Sequence, residues 1–220
     1  MVQASSLQEG NECGRDTVEP RSELDIAAKL DISKVAAESE PQLTRGSCVL
    51  QQAAIAKIVQ RALLHFHGQR YILLAWCIMP NHVHLVLAPL EEHTLSRILH
   101  SIKSYTANRI NNILGRRGPL WERESFDHLI RTPEHLQAFC EYVEQNPVKA
   151  GLCENPENWP FSSCGAGFQP DHSRLGLWTD PLSTPIVEMR SRGELPHLHK
   201  PPGIYFVTDR LLDAVGNPEK

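Results

Sequence analysis

The sequence predicts an α+β fold, a ferredoxin-like (split βαβ) antiparallel sheet with helices on one face. The apolar run 71–79 and the segment 82–88 are separated only by Pro80-Asn81, which is typical of a hairpin turn. Segments with helical periodicity flank this hairpin, so the order is helix, strand, strand, helix, strand, helix. A split βαβ fold has this order with one further strand before the first helix, and no convincing strand exists there.

Apolar residues spaced three and four apart predict the first two helices. The first helix runs from about residue 51 to 65, and the second from about residue 95 to 113. Gly115 follows the second pattern and is suited to the left-handed conformation that ends many helices. Residues 120–131 predict a strand, or a strand with a bend.

Thr132-Pro133 predicts the start of the third helix, with a capping hydroxyl followed by a proline in the first turn. Asn146-Pro147 is predicted to end that helix, because the residue before a proline avoids helical geometry. The best strand pattern left over is residues 203–211, close to the C-terminus.

Composition divides the chain into four predicted parts. Residues 1–43, with nine acidic and four basic side chains, are expected to form a poorly ordered acidic extension. Residues 44–168 hold the predicted catalytic domain, which is mildly basic and so permits a local phosphate-binding surface. Residues 169–194 are rich in Pro and Gly and predict a linker, and 195–214 form a C-terminal block.

The sequence also predicts a cytoplasmic protein. No apolar run reaches the length of a membrane span, and the polar N-terminus shows no signal peptide. The six cysteines are scattered without a Cys-x-x-Cys pair, which fits reduced thiols.

His82-Val83-His84 is the strongest candidate site. Side chains two apart on a strand share a face, so both imidazoles are predicted to converge as half of a metal site. Two other His-x-His pairs, at 65/67 and at 197/199, are interpreted as helix-end or surface histidines, because neither opens a strand.

Tyr142 and Asn146 are four apart on the third predicted helix and are therefore neighbours on its surface. If this part of the helix surface lies over the two imidazoles, Asn146 supplies an oxygen ligand and Tyr142 stands beside the metal. Such a site suits phosphoryl transfer, in which a tyrosine oxygen attacks a phosphate in line. The alternative is that Tyr142 is a boundary tyrosine and Asn146 a helix cap.

Several side chains in the central region are candidates for DNA contact. Trp121 and Phe126 could stack on unpaired bases, although burial in the core is the alternative for both. The basic candidates for phosphate contact, which solvated helix faces would explain equally well, are Lys103, Arg109, Arg116, Arg117, Arg123 and Arg131.

Five separated blocks within residues 44–168 resemble a known family. They are Met79 to His84, Trp121-Glu122-Arg123, Asp127 to Arg131, Tyr142 to Leu152 and Trp159 to Ser163. Their order and sequence resemble the REP-associated tyrosine transposases, within the single-tyrosine HUH transposases of bacterial insertion sequences.

The resemblance implies the HUH transposase fold and a metal-dependent endonuclease and strand transferase. Such an enzyme nicks single-stranded DNA at hairpin-flanked (REP-like) sites with Mg²⁺ or Mn²⁺, through a covalent 5′-phosphotyrosine. The resemblance makes His82 and His84 metal ligands, Asn146 the third ligand and Tyr142 the nucleophile. Two alternatives stay open: a degenerate or domesticated single-stranded DNA-binding protein without turnover, and a protein with structural zinc that never meets DNA.

The chain departs from the family pattern at its ends. Members usually begin with a loop and strand like Arg192 to His197 followed by Ile204 to Thr208, and here that block is C-terminal. We hypothesise a circular permutation in which residues 203–212 supply the first strand of the sheet. The rival is a truncated second copy that leaves the sheet incomplete, and Asp209 stands where a hydrophobic residue is expected.

Overall fold

The computed structural model describes residues 33–35, 47–90, 93–170 and 203–212. The predictions for residues 1–32 and 36–43 of the acidic extension lie outside the described residues, as do those for residues 171–194 of the linker and for His197 and His199. The main elements, in chain order, are α1 (Ala53–His65), β1 (Tyr71–Ile78), β2 (His82–Pro89), α2 (Leu95–Leu114), β3 (Phe126–Ile130), α3 (Pro133–Lys149) and β4 (Ile204–Arg210).

The strands form one antiparallel sheet in the order β1-β2-β4-β3. The C-terminal strand β4 therefore lies in the middle of its own chain's sheet, between β2 and β3. It runs parallel to β1 with β2 between them, which is the arrangement of a split βαβ unit. The prediction that residues 203–212 fill the missing sheet position is confirmed, and a C-terminal copy that leaves the sheet incomplete is excluded.

Helices cover both faces of the sheet, not one face as predicted. α1 and α2 pack on the first face, over side chains that include Leu85 and Val207. α3 packs on the second face, over Val86 and Phe206. The reason is that β1, β2 and β4 are buried on both sides, so each face needs a cover.

The ends of α2 and the start of α3 follow the predicted capping chemistry. Gly115 has a φ of 61° and ends α2 in the left-handed conformation. The Thr132 hydroxyl accepts a hydrogen bond from the backbone N–H of His135 at the start of α3. The strand-plus-bend prediction for 120–131 is also confirmed, because Trp121 forms a single bridge to Leu211 before β3 begins.

The prediction that Asn146-Pro147 ends α3 is wrong, since the helix continues to Lys149. A proline in the last turn of a helix lacks the backbone N–H for one helical hydrogen bond, but the residues that follow it can still form theirs. The backbone N–H of Ala150 donates to Asn146 and that of Leu152 to Pro147. Burial of both Asn146 and Pro147 against the sheet holds the turn in helical geometry.

Asp209, where an apolar residue was expected, is buried with a partner of opposite charge. Its carboxylate lies 3.1 Å from the ammonium of Lys103 on α2. The hydroxyl of Ser125 donates to the same carboxylate oxygen. This polar cluster ties β4 to α2 and to the loop before β3. Among the described residues, no helix has the length and hydropathy to cross a membrane.

Candidate active site and metal centre

His82 and His84 project from the same face of β2 because one residue separates them. The exposed fraction is 2% for His82 and 0% for His84. Their Nε2 atoms lie 3.0 Å apart. The two imidazoles therefore converge on one point inside the protein, whereas Val83, Leu85 and Leu87 face the opposite core.

Each imidazole is held from behind at its Nδ1 atom. Nδ1 of His82 donates to Oδ1 of Asn81 at 2.7 Å, and Nδ1 of His84 lies 2.9 Å from Oγ1 of Thr208. An imidazole whose Nδ1 carries the proton keeps its lone pair on Nε2. The Asn81 amide oxygen thus favours the tautomer in which the Nε2 lone pair of His82 faces the shared point. The Thr208 hydroxyl can accept a hydrogen bond and so suits the same tautomer of His84, as in metal-binding histidines.

Burial keeps both imidazoles neutral. It lowers the pKa of His82 from 6.5 to about 3, with the charge of Arg210 as the second cause. Burial also lowers the pKa of His84 well below its usual range, and the charges of His82 and Arg210 act in the same direction. A neutral imidazole is the form that binds metal ions.

α3 brings Asn146 and Tyr142 to the same point. Nδ2 of the buried Asn146 lies 3.2 Å from Nε2 of His84, and a flip of the amide would present its oxygen there instead. The ring of Tyr142, one turn earlier, lies 5.5 Å from the His84 ring between centroids. Asn146 and the Tyr142 ring thus lie beside His84, and Asn146 is an interior residue of α3, whose C-cap is Ala150. The roles of Tyr142 as nucleophile and of Asn146 as metal ligand stay predictions.

Phe206 on β4 sets the positions of these rings. It stacks against His84 at 5.6 Å and against Phe139 at 4.9 Å between centroids. Tyr142 meets Phe206 edge-on at 5.8 Å. The ammonium of Lys149 lies 4.8 Å from the centroid of the Tyr142 ring, so a cation stands near the phenol.

The donor set fits a divalent cation. Two imidazole nitrogens and one amide oxygen leave coordination positions for water or for a phosphate oxygen. Within the described ranges, no group of three or more His, Cys, Asp and Glu side chains could hold a metal ion. A metal at His82 and His84 would therefore depend on the amide of Asn146 as the third ligand.

Two of the basic residues predicted to contact DNA, Lys103 and Arg109, lie away from the imidazoles. α2, which carries Lys103 and Arg109, packs on the opposite face of the sheet. The Lys103 ammonium is bonded to Asp209, Ser125 and the carbonyl of Arg123. Of the other four predicted contacts, Arg116 is half-buried, and the exposed ones are Arg117, Arg123 and Arg131. Their role in DNA contact stays a prediction.

The two aromatic candidates for DNA contact differ in their burial. Trp121 is buried, and its indole N–H donates to the Thr106 hydroxyl at 2.9 Å. Phe126 is half-buried on the same sheet face as the imidazoles, paired with Thr208 across the strands. The pair His65 and His67 lies at the end of α1, where Nδ1 of His67 accepts from the backbone N–H of Leu73.

Three residues near the imidazoles were not found from the sequence: Phe206, Thr208 and Arg210. They alternate along β4, so they share the face that carries His82 and His84. Alternation within residues 204–210 is visible in the sequence. Their partner strand is not, because more than a hundred residues separate β4 from β2.

The segment 50–146 matches the family model described as "Transposase IS200 like". This match includes both imidazoles, Tyr142 and Asn146. It confirms the resemblance that the sequence motifs indicate.

Two curated relatives are similar to part of the chain. The REP-associated tyrosine transposase of Escherichia coli (strain K12) is 29% identical over 92 residues, covering 40% of this chain and 52% of that protein. A protein of Haemophilus influenzae to which the same name is provisionally given is 29% identical over 102 residues. The match covers 40% of this chain and 56% of that protein. The chain thus spans about half the length of the curated relatives it matches.

A solved structure of a REP-associated tyrosine transposase bound to a REP hairpin is also similar. It is 21% identical and has a TM-score of 0.45, covering 69% of this chain and 84% of that one. A similarity at this level is too low to decide the fold, which follows instead from the strand pairing described above.

Proposed function

We propose that this protein is a metal-dependent single-stranded DNA endonuclease and strand transferase that acts in the cytoplasm. The observation that carries the proposal is the convergence of His82, His84 and Asn146 on one point with Tyr142 packed beside it. Its resemblance to the tyrosine transposases supports DNA as the substrate. Hairpin-flanked sites are the substrate that this resemblance implies.

His82, His84 and Asn146 would hold Mg²⁺ or Mn²⁺. When bound, such a cation polarises a phosphate and offsets the charge that develops in phosphoryl transfer. The protein's own side chains prepare this site for the cation. Asn81 and Thr208 orient the imidazoles, and burial keeps them unprotonated.

Tyr142 would act as the nucleophile. Its oxygen forms a bond to the phosphorus while the bond from phosphorus to the 3′ oxygen of the preceding nucleotide breaks. The phenol proton leaves to solvent, and the released 3′ oxygen takes up a proton. The product is a 5′-phosphotyrosine and a free 3′-hydroxyl, so the bond energy is kept for rejoining. The ammonium of Lys149 lies 4.8 Å from the centroid of the Tyr142 ring, and this cation–π contact helps to hold the ring in place.

The test is formation of a covalent protein–DNA adduct. Single-stranded hairpin oligonucleotides labelled at the 3′ end are incubated with the full chain and Mg²⁺ or Mn²⁺, then resolved on a denaturing gel. The wild type is expected to give an adduct that EDTA prevents. Tyr142→Phe should give none while binding the same oligonucleotide, because only the attacking oxygen is lost. Tyr105→Phe is the matched control, since Tyr105 is exposed on α2 on the other face of the sheet.

Three results would contradict the proposal in different ways. Binding without an adduct from the wild type would favour the DNA-binding protein without turnover. An adduct that persists in Tyr142→Phe would assign the nucleophile to another residue. Absence of binding to every oligonucleotide would favour a metal-binding protein that does not meet DNA.

A further inference from the structure

Arg210 is the last residue of β4 and lies beside the imidazoles. Its Cα pairs with that of His82 across the two strands. Directly opposed residues of an antiparallel pair project from the same face, so the guanidinium and the His82 imidazole leave the sheet together. Thr208, two residues earlier on the same face, contacts His84. Arg210 therefore stands at the edge of the candidate metal centre.

Arg210 lies on the same sheet face as both imidazoles, directly opposite His82 and two residues along β4 from Thr208, which pairs with His84. Both imidazoles are buried, whereas Arg210 is half-buried and so remains partly accessible to a ligand. The acidic neighbour Asp209 faces the opposite side, toward Lys103.

Positive charge at this edge has a chemical consequence. Two neutral imidazoles and an amide carry no charge, so a bound divalent cation would leave its charge next to that of Arg210. Two cations at close range repel each other unless an anion lies between them. A phosphate diester offers two non-bridging oxygens, and the planar guanidinium fork suits bidentate contact with such oxygens.

We propose that Arg210 contacts the scissile phosphate of single-stranded DNA, on the side of the phosphate opposite the candidate metal ligands. This inference rests on the proposed function and adds a substrate-binding residue to it. It also assigns a role to the C-terminal strand β4. This strand would bring Thr208, which supports His84, and Arg210, which contacts the phosphate, to one site.

A thermodynamic cycle tests the contact. The oligonucleotide that gives the Tyr142 adduct is prepared with its cleaved phosphate intact or replaced by an uncharged methylphosphonate. Binding to both is measured with Mg²⁺ in the Tyr142→Phe background, with and without Arg210→Gln. On the intact oligonucleotide, Arg210→Gln is expected to weaken binding about tenfold to a hundredfold, as for a lost charge-assisted hydrogen bond. On the methylphosphonate its effect should fall to within about twofold.

The controls separate a phosphate contact from a structural role. Arg97→Gln makes the same change of charge on exposed α2, on the other face of the sheet, and should leave both affinities within about twofold. Arg210→Lys should retain part of the affinity. Arg210→Gln should reduce the salt dependence of binding by about 0.7 in the log–log slope, the value for one phosphate contact on a single strand.

Two failures are distinguishable. An equal effect of Arg210→Gln on both oligonucleotides, with a wild-type adduct present, would overturn the contact and leave the proposed function intact. Absence of any adduct from the wild type would overturn the proposed function and this inference with it.

Discussion

Thr208 shows how single residues prepare the candidate metal site. Its hydroxyl lies 2.9 Å from Nδ1 of His84, and Asn81 supports His82 in the same way. Neither residue reaches the point where the Nε2 atoms converge. Their hydrogen bonds fix the orientation of the two rings, and an imidazole that can rotate binds a metal less tightly.

Thr208→Val is expected to weaken Mn²⁺ binding about tenfold to a hundredfold, in the range measured for such supporting partners. Valine keeps the shape of threonine but cannot hydrogen-bond to His84. Thr208→Ser keeps the hydroxyl and should restore most of the affinity. Titration calorimetry with Mn²⁺ in the absence of DNA measures the effect. Equal affinity for wild type and Thr208→Val would show that the hydroxyl does not orient His84.

At the scale of elements, β4 is held by a buried ion pair as well as by its two neighbouring strands. Asp209 and Lys103 have side chains only 5% and 15% exposed. The hydroxyl of Ser125 and the carbonyl of Arg123 complete the hydrogen bonding of this pair. An ion pair at this depth stabilises little relative to an apolar pair, but the loss of one partner leaves an uncompensated charge.

Asp209→Ala is therefore expected to lower the free energy of unfolding by about 3 kcal/mol. Replacement of both charges, in Lys103→Met with Asp209→Leu, should recover most of that loss. The matched control is Glu124→Gln, which breaks the 3.6 Å pair with Arg123 on the exposed surface and should cost less than about 1 kcal/mol. Urea unfolding followed by circular dichroism gives these differences. A loss in Asp209→Ala no larger than that in the control would contradict the buried-pair interpretation.

At the scale of the whole molecule, the end of β4 lies next to the segment that leads into α1. The backbone N–H of Leu211 donates to the carbonyl of Asn81, and that of Leu50 donates to the carbonyl of Pro80. Two distant parts of the chain thus bind consecutive carbonyls of one turn. This closeness supports the hypothesis of circular permutation, because a short connection could join residue 212 to residue 48.

A relinked chain tests that hypothesis. Residues 203–212 are placed first, joined by a short Gly/Ser linker to residue 48, and the chain ends at residue 170. We expect it to fold with the Mn²⁺ affinity of the full chain, because every strand keeps its neighbours. A chain that ends at residue 202 should not fold, because β2 and β3 lose the strand between them. Circular dichroism and Mn²⁺ titration report both outcomes. A relinked chain that stays unfolded would contradict the hypothesis.

The chain's local patterns were sufficient to predict most elements and half of the site. The hairpin around Pro80-Asn81, the caps at Gly115 and Thr132 and the common face of His82 and His84 each depend on residues close together in sequence. Local rules failed at Pro147, where contacts between α3 and the sheet outweigh the preference of the preceding residue. They also failed for the second face of the sheet, since burial on both sides depends on neighbours.

By itself, the sequence determined which side chains could form a metal site, because strand and helix periods fix which residues share a face. Only the tertiary structure decided that β4 lies between β2 and β3, and with it that Phe206, Thr208 and Arg210 join the imidazoles. The physical reason is that strand pairing depends on hydrogen bonds between distant segments. The alternation within a strand shows which of its residues share a face, but it does not identify the strand with which it pairs.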